Sequence, residues 1–446
     1  MNKFAIKNAC IVNEGKRFNA TVFILNDVIE RVTQDEQPDT SDYVVIDGTG
    51  KYLFPGVIDT HVHFRDPGLT HKGDMISESC AAVAGGVTTI ADMPNTIPQT
   101  TNIQHFNEKC RRAEKVCLVN FSFYIGATNE NLDNLCNADP SLIFGVKLFM
   151  GSSTGNMLVS NDKALEDIFK NVHLPIVAHC EDENRIKDNI LKIKQQYGDT
   201  PPFSVHPLIR DEETCFRSSE KAVNLATKYN THLHLAHLST QKELSLLKNN
   251  IPLTEKKITG EACVHHLWFS DNDYQEKGAQ IKCNPAIKSL SDRDALRKAL
   301  KNNLIDTIAT DHAPHTWEEK QKSYFESPSG IPLIQHALPA MLEMVHSGIF
   351  TLEQVVEKMC HNPALLFHIE KRGFIREGYF ADLVLVDLND KWKVETENIL
   401  YKCKWSPFQS VDFHSKILMT FVNGYPVWDN GTINNAQKGK LLKFKR

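Results

Sequence analysis

Between residues 53 and 370, without any internal sequence repeat, eight short apolar or β-branched runs alternate with longer stretches, several of helical spacing. The runs are Val57–His63, Val87–Met93, Val116–Tyr124, Gly145–Met150, Pro175–Cys180, His232–Leu238, Lys257–Ala262 and Ile305–Thr310. The intervals include helical segments, among them Ser77–Ala84, Asn102–Ala113, Asp162–Lys170, Thr214–Tyr229, Gln241–Leu247 and Ser291–Asn302. Strands that alternate with helices form parallel sheets, and eight such units are the pattern of a (β/α)8 barrel. The unusual polar residues support it. His61, His63, Lys147, His179, His237, Glu261 and Asp311 all stand at or near the C-terminal ends of the runs, the end at which barrels build their active sites.

The two ends of the chain follow another rhythm. Residues 1–52 read as short strands, Phe4–Val12, Thr21–Leu25, Val28–Val32 and Tyr43–Asp47, divided by Gly, Asn and Asp turns. Residues 371–446 offer matching pieces, Ala381–Val386, Ser415–Val422 and Tyr425–Trp428, with a turn at Asn423-Gly424. Neither set is self-sufficient, so the spacing predicts one small β-sandwich assembled from both termini around a barrel over 53–370.

Composition narrows the function. A net charge of −5 argues against a general nucleic-acid binder. The N-terminus has no apolar leader, and no uninterrupted run is long enough for a membrane span. The 11 cysteines are dispersed, without a CxxC pair. That usage fits reduced thiols and a cytoplasmic protein. The chain has no Walker loop, no GxGxxG and no GxSxG.

The chemistry-bearing residues centre on Phe54–Asp66. In a strand, side chains at i, i+2 and i+4 share a face, so His61, His63 and Arg65 project into one space. Imidazoles ligate zinc-like metals, and arginine grips carboxylates. A lone histidine at a strand end is more often packed than a ligand; a His-x-His pair converges by geometry. His179 ends an apolar run and reads either as a ligand or as a core histidine bonded to a carbonyl. His234 and His237 cannot share a strand face, and His237 is nearer the strand end. Asp311 follows an apolar run, where a carboxylate needs a metal, hydrogen bonds or a helix to cap. Lys147 interrupts Phe144–Met150, which otherwise reads as fully buried. Either an ion pair resolves it, or its amine carries a CO2-derived carbamate bridging two divalent metals. Two ions roughly 3.5–4 Å apart would acidify a shared water. Beside them Arg65, Asn95, Asn284 and His315 offer donors for a substrate carboxylate; taken singly, the asparagines beside prolines are ordinary turn residues.

These residues match a family pattern. Asp59-Thr-His-Val-His-Phe-Arg-Asp-Pro-Gly68 resembles the signature of dihydroorotases in the amidohydrolase superfamily, as do Asp92-Met-Pro-Asn-Thr-Ile-Pro98 and Ala309-Thr-Asp-His-Ala-Pro-His-Thr316. The resemblance runs over nearly the whole chain, through Gly85–Thr89 and Pro175–His179 to Glu377–Leu385. It implies a distorted (β/α)8 TIM barrel holding two zinc ions (Zn2+), with His61, His63, Lys147 as a carboxylated bridge, His179, His237 and Asp311 as ligands. It also implies Asp311 as the catalytic proton carrier. Arg65, Asn95 and His315 would hold the substrate carboxylate, with Asn284 and the backbone around Gly330 nearby. Glu261 resembles a position that holds an extra zinc in some relatives, and is equally readable as a structural carboxylate. The Gly151–Asn156 loop would close over substrate or form a static turn. The implied reaction is the interconversion of N-carbamoyl-L-aspartate and L-dihydroorotate in pyrimidine synthesis, by a homodimer. Dihydropyrimidinases (hydantoinases) and allantoinases share the metal ligands but act on rings without a carboxylate, so Arg65 favours dihydroorotate. Some dihydroorotase-like chains have lost ligands and serve as inactive partners of aspartate transcarbamoylase; here the ligands are present.

Overall fold

The computed structural model describes residues 2–151 and 157–446. Its first five strands are β1 (Lys3–Asn13), β2 (Lys16–Leu25), β3 (Val28–Thr33), β4 (Val44–Asp47) and β5 (Tyr52–Pro55). Nine strands form the wall of the barrel: β6 (Val57–Val62), β7 (Val87–Asp92), β8 (Asn120–Phe123), β9 (Ile125–Gly126), β10 (Val146–Phe149), β11 (Ile176–His179), β12 (Leu233–Leu235), β13 (Ile258–Cys263) and β14 (Thr307–Ala309). The last six are β15 (Leu383–Asp387), β16 (Trp392–Lys393), β17 (Asp412–Phe413), β18 (Lys416–Val422), β19 (Tyr425–Asp429) and β20 (Thr432–Ile433).

Strands from both ends of the chain share one sheet, in the order β20-β19-β18-β15-β5-β1-β2-β3, with β4 paired to β1. β5, at the edge of the expected barrel span, joins β1 to β15. Phe4 of β1 and Phe421 of β18 lie three strand positions apart, which in a flat sheet is about 14 Å at the usual strand spacing. Their ring centroids are 5.8 Å apart. The sheet therefore curls over on itself like a sandwich, around Ile6, Ile24, Leu53, Leu383 and Phe421. The Asn423-Gly424 turn has φ of 49° and 72°, the left-handed pair that a tight hairpin between β18 and β19 requires.

Parallel pairing runs from β6 through β7 to β8, and from β9 through β10, β11, β12 and β13 to β14. β8 and β9 are one barrel strand interrupted at Tyr124, so eight strands surround the core. The ring closes where His63 N–H donates to the His312 carbonyl at 2.7 Å. Asp59 reinforces the closure, accepting the Thr310 hydroxyl at 2.6 Å and tying the first strand to the last. Only Gly56 separates β5 from β6; a Cβ there would lie 2.1 Å from the Thr88 hydroxyl.

Two helical expectations shift. The third run begins with helix, because Ile103–Val116 continues to Val116 and its cap, Cys117 N–H, still bonds Ala113. Gln241–Leu247 is a 3-10 turn over Lys242–Leu246, tied by Glu243, whose carboxylate accepts from Ser219 and Thr240. A further helix, Glu183–Tyr197, follows β11; only Ile186, Asn189 and Ile193 of it are buried, so its apolar stripe is faint. Residues 439–444 return along the barrel, with Gly439, Leu442 and Phe444 bonded to the backbone of Cys117, Phe121 and Ser141. Leu442 and Phe444 pack with Ile58, Phe144, Val177 and Phe367 beneath the strands. Among the described residues no helix is long and apolar enough to cross a membrane.

Candidate active site

At the C-terminal ends of the barrel strands lies a cleft of about 390 Å³. It is lined by each residue expected to hold metal or substrate except Glu261, which is absent from the lining. Of the Gly151–Asn156 loop, residues 152–156 lie outside the described residues. Arg65, His237 and Asp311 have φ of 65°, 37° and 49°. Left-handed backbone at a non-glycine residue costs on the order of 1–3 kcal/mol and concentrates at functional sites.

Imidazoles and carboxylates converge at the cleft floor. Asp311 Oδ1 is 3.1 Å from His63 Nε2 and 3.3 Å from His61 Nε2. His61, His237 and Asp311 present ligand atoms all within 4.8 Å of one another, a group able to hold a metal ion. Each imidazole is oriented from behind. His61 Nδ1 donates to Glu261 Oε1 at 2.8 Å, and His63 Nδ1 to Asn95 Oδ1 at 2.8 Å. His179 Nε2 donates to Glu181 Oε2 at 2.8 Å, which leaves its Nδ1 lone pair 2.8 Å from His237 Nε2. Such outer partners fix the tautomer and present the other ring nitrogen to a metal. Burial keeps His63, His179 and His237 neutral, the ligand form, with His63 pulled down to about 4. Burial works to raise the Asp311 carboxyl, but His61 beside it holds it well below the usual carboxylate range. His234 turns aside to Thr259, 2.8 Å from its hydroxyl.

Lys147 is 1% exposed, and among the described residues its Nζ has no hydrogen-bond partner. Burial lowers its basicity. This is the orphaned buried polar atom that a carbamate would explain. A neutral amine is the form that adds to CO2, and the resulting anion would stand among four imidazoles.

The rim beside the histidines is cationic. Arg65 is 8% exposed; its Nε donates to the Pro314 carbonyl at 3.0 Å, and one Nη lies 3.0 Å from His315 Nε2. Among the described residues no carboxylate lies within ion-pair range of it. Lys72 Nζ is 3.1 Å from His315 Nδ1, so the remaining nitrogen of His315 faces Arg65 and the Ser329 carbonyl. Burial, with Arg65 next, drives His315 well below its usual value and keeps it neutral. Asn284 carries a buried Oδ1 without a partner among the described residues. Asp92 accepts the Phe64 amide at 2.7 Å and pairs with the buried Lys109, which locks the backbone between His63 and Arg65.

Sequence reasoning missed three supports. Glu181 follows His179 at the i+2 spacing that shares its face, a signal available in the sequence. Arg210, which pairs with Glu181 and lines the cleft, comes from a four-residue helix edge and has no such signal. Lys320 is fully buried and donates to the carbonyls of Lys282, Pro328 and Gly330 at 3.2, 2.9 and 3.1 Å, which shapes the Ser329-Gly330 lip.

The pattern of the Amidohydrolase family matches residues 52–427. The chain is 33% identical over 432 residues to a dihydroorotase of Methanosphaera stadtmanae, covering 95% of this chain and 96% of that protein. It is 34% identical over 400 residues to a dihydroorotase of Halobacterium salinarum, covering 87% and 89%. Among solved structures, L-hydantoinase (dihydropyrimidinase) from Arthrobacter aurescens superposes with a TM-score of 0.93 at 28% identity, over 99% of this chain and 100% of that one. Dihydropyrimidinase from Brevibacillus agri shares the fold with a TM-score of 0.87 at 23% identity, over the full length of both. With a family match over most of its length and relatives above 30% identity, the chain belongs to the amidohydrolase family, alongside its dihydroorotases.

Proposed function

We propose that the cleft is the active site of a zinc-dependent dihydroorotase interconverting N-carbamoyl-L-aspartate and L-dihydroorotate. The observation that carries this reading is Arg65, a nearly buried guanidinium at the edge of the metal-capable cluster with no carboxylate partner among the described residues. A buried charge left unpaired is costly, and an anionic substrate removes that cost. Dihydroorotate carries a ring carboxylate; dihydrouracil, hydantoin and allantoin do not.

His61, His63 and Asp311 would hold one zinc ion and His179 and His237 the other, with the Lys147 carbamate shared between them. The carbamate would form by addition of the neutral Lys147 amine to CO2: one N–C bond is made, one C=O π pair moves to oxygen, and one proton leaves the nitrogen. Two bound ions supply a water that ionises near neutral pH and a Lewis acid for the scissile carbonyl. The protein supplies the rest. Arg65 and the Asn95 amide grip the substrate carboxylate, and neutral His315 donates to it, so the ring cannot drift along the cleft. Asn284 and the Gly330 backbone border the same space. Asp311, held ionised, takes the proton of the attacking water and delivers it to the ring nitrogen as the C–N bond breaks; ring closure runs these steps backwards. Glu261 is a positioning residue for His61 in this reading. Exclusion of bulk water above the site would strengthen each of these contacts.

The likeness to L-hydantoinase favours a second reading, a cyclic amidohydrolase of uncharged rings. A panel of dihydroorotate, dihydrouracil, hydantoin and allantoin, each with zinc present, separates the two. The proposal expects preferred turnover of dihydroorotate, and Arg65→Met to raise its KM by at least tenfold with metal content unchanged. Preferred turnover of an uncharged ring by the unaltered protein would overturn it.

A further inference from the structure

We propose that Cys263, His265 and His266 form a separate site for one thiophilic metal ion, buried behind the catalytic cluster. Their ligand atoms lie within 4.8 Å of one another, and the residues are 0%, 1% and 3% exposed. None of the three lines the cleft.

The second observation is the state of the two imidazoles. His266 Nε2 donates to the Pro285 carbonyl at 3.1 Å, which fixes the lone pair on Nδ1. That Nδ1 is buried without a hydrogen-bond partner among the described residues. A ring whose far nitrogen is anchored on a carbonyl while the near one is bare is the usual arrangement of a metal-binding histidine. His265 resembles it: its ring faces the Thr310 backbone, and neither of its buried nitrogens makes a hydrogen bond of ordinary geometry among the described residues. Leaving a buried polar group unsatisfied is costly, so such atoms call for a partner. These atoms all belong to one short helix, Val264–Trp268. The two rings lie 4.1 Å apart between centroids.

Cys263 supplies the sulfur. It ends β13 two residues beyond Glu261, on the same face, and its Sγ makes only a long 3.8 Å contact with Glu261 Oε1. Burial pushes its thiol well above the usual value, so without a metal it stays protonated. On binding, the S–H proton is released and a thiolate–metal bond forms. One thiolate and two imidazoles select Zn2+ or Cu+ over oxygen-seeking Mg2+ or Ca2+. An ion here would be one carboxylate away from the catalytic group, because Glu261 touches both Cys263 and His61.

Zinc-edge X-ray absorption on the zinc-saturated protein tests this, since the proposed catalytic ligands contain no sulfur. The site predicts a Zn–S shell at about 2.3 Å in addition to nitrogen and oxygen near 2.0–2.1 Å. Cys263→Ser should abolish the sulfur shell and lower the bound metal by one equivalent. His266→Asn should lower it likewise; because His61, Glu261 and Cys263 also bring ligand atoms within 4.8 Å of one another, a sulfur shell that survives His266→Asn would assign the thiolate to the catalytic ion and overturn the proposal. Absence of a sulfur shell in the unaltered protein, or its persistence in Cys263→Ser, would overturn the proposal, whatever the activity of either variant.

Discussion

Replacing Glu261 by glutamine separates an orienting carboxylate from a metal ligand. Glu261 Oε1 accepts from His61 Nδ1 at 2.8 Å and from the His237 amide at 3.2 Å, and Oε2 accepts the Thr60 hydroxyl at 3.2 Å. Burial alone would raise this carboxyl, yet His61 holds it well below the usual carboxylate value, so it works as an anion. Glutamine keeps the shape and can still accept both hydrogen bonds at Oε1, but it removes the charge. A hydrogen bond to a charged group is worth about 1.5–3 kcal/mol and a neutral one about 0.5–1.5, so the difference is about 1–1.5 kcal/mol. That corresponds to roughly a tenfold weaker hold on the ion at His61, the low end for loss of an outer partner. Alanine instead strands three buried donors and should cost several-fold more in energy, visible as a lowered melting temperature. Competition with a chromophoric chelator measures the affinity, and elemental analysis counts the ions. Loss of a whole equivalent in Glu261→Gln would make Glu261 a ligand, and unchanged affinity would deny it any role in presenting His61.

Lys147→Ala should lose the carbamate and with it most bound metal and turnover; a fully active, fully loaded variant would remove the bridge from the mechanism. Lys320→Met keeps the volume but takes the ammonium away from the Pro328, Gly330 and Lys282 carbonyls, of which only Lys282 keeps another donor among the described residues, the Gly330 amide; it should destabilise the protein by about 1–3 kcal/mol and raise KM more than it lowers kcat, as read by thermal melts and steady-state kinetics. In Asp211, burial opposes ionisation, but Arg185 and the cap of helix Glu212–Tyr229 hold the carboxyl at about 2, below the ordinary 3.8. Its stabilisation is therefore complete above pH 3.8 and disappears as the pH falls through about 2. Asp211→Asn should flatten that part of an acid-unfolding profile, and an unaltered slope there would refute the assignment.

What was legible in the sequence followed from physical repetition. The barrel strands are buried on both faces and so stand out as apolar runs, and the candidate ligands are the polar residues that interrupt or end them. Lys147 was conspicuous for the same reason. Of the supports, Glu181 could have been read from its i+2 spacing to His179; the other two could not, because they come from segments without periodicity: Arg210 lies after a four-residue helix and Lys320 ends another. The break at Tyr124 left no mark, since its ring fills the core like any other aromatic while its hydroxyl reaches the Thr60 carbonyl at 2.9 Å. Cys263, His265 and His266 read as ordinary residues at a strand end; only their lack of partners, a three-dimensional fact, separates them from core histidines.

The curled sheet imposes an order on how the chain can be made. β5 finds β1 at once but meets β15 only after about 330 further residues, roughly 20–60 s of synthesis at 5–20 residues per second. During that interval one edge of β5 offers unpaired backbone groups beside Leu53 and Phe54, the kind of template on which chains aggregate. The barrel strands, each pairing with a near neighbour in sequence, can assemble meanwhile. Docking of β15 then joins the two halves of the sheet across Gly56 from the strand that carries His61. Yield during synthesis should accordingly depend on keeping that edge apart from its copies more than on the barrel itself.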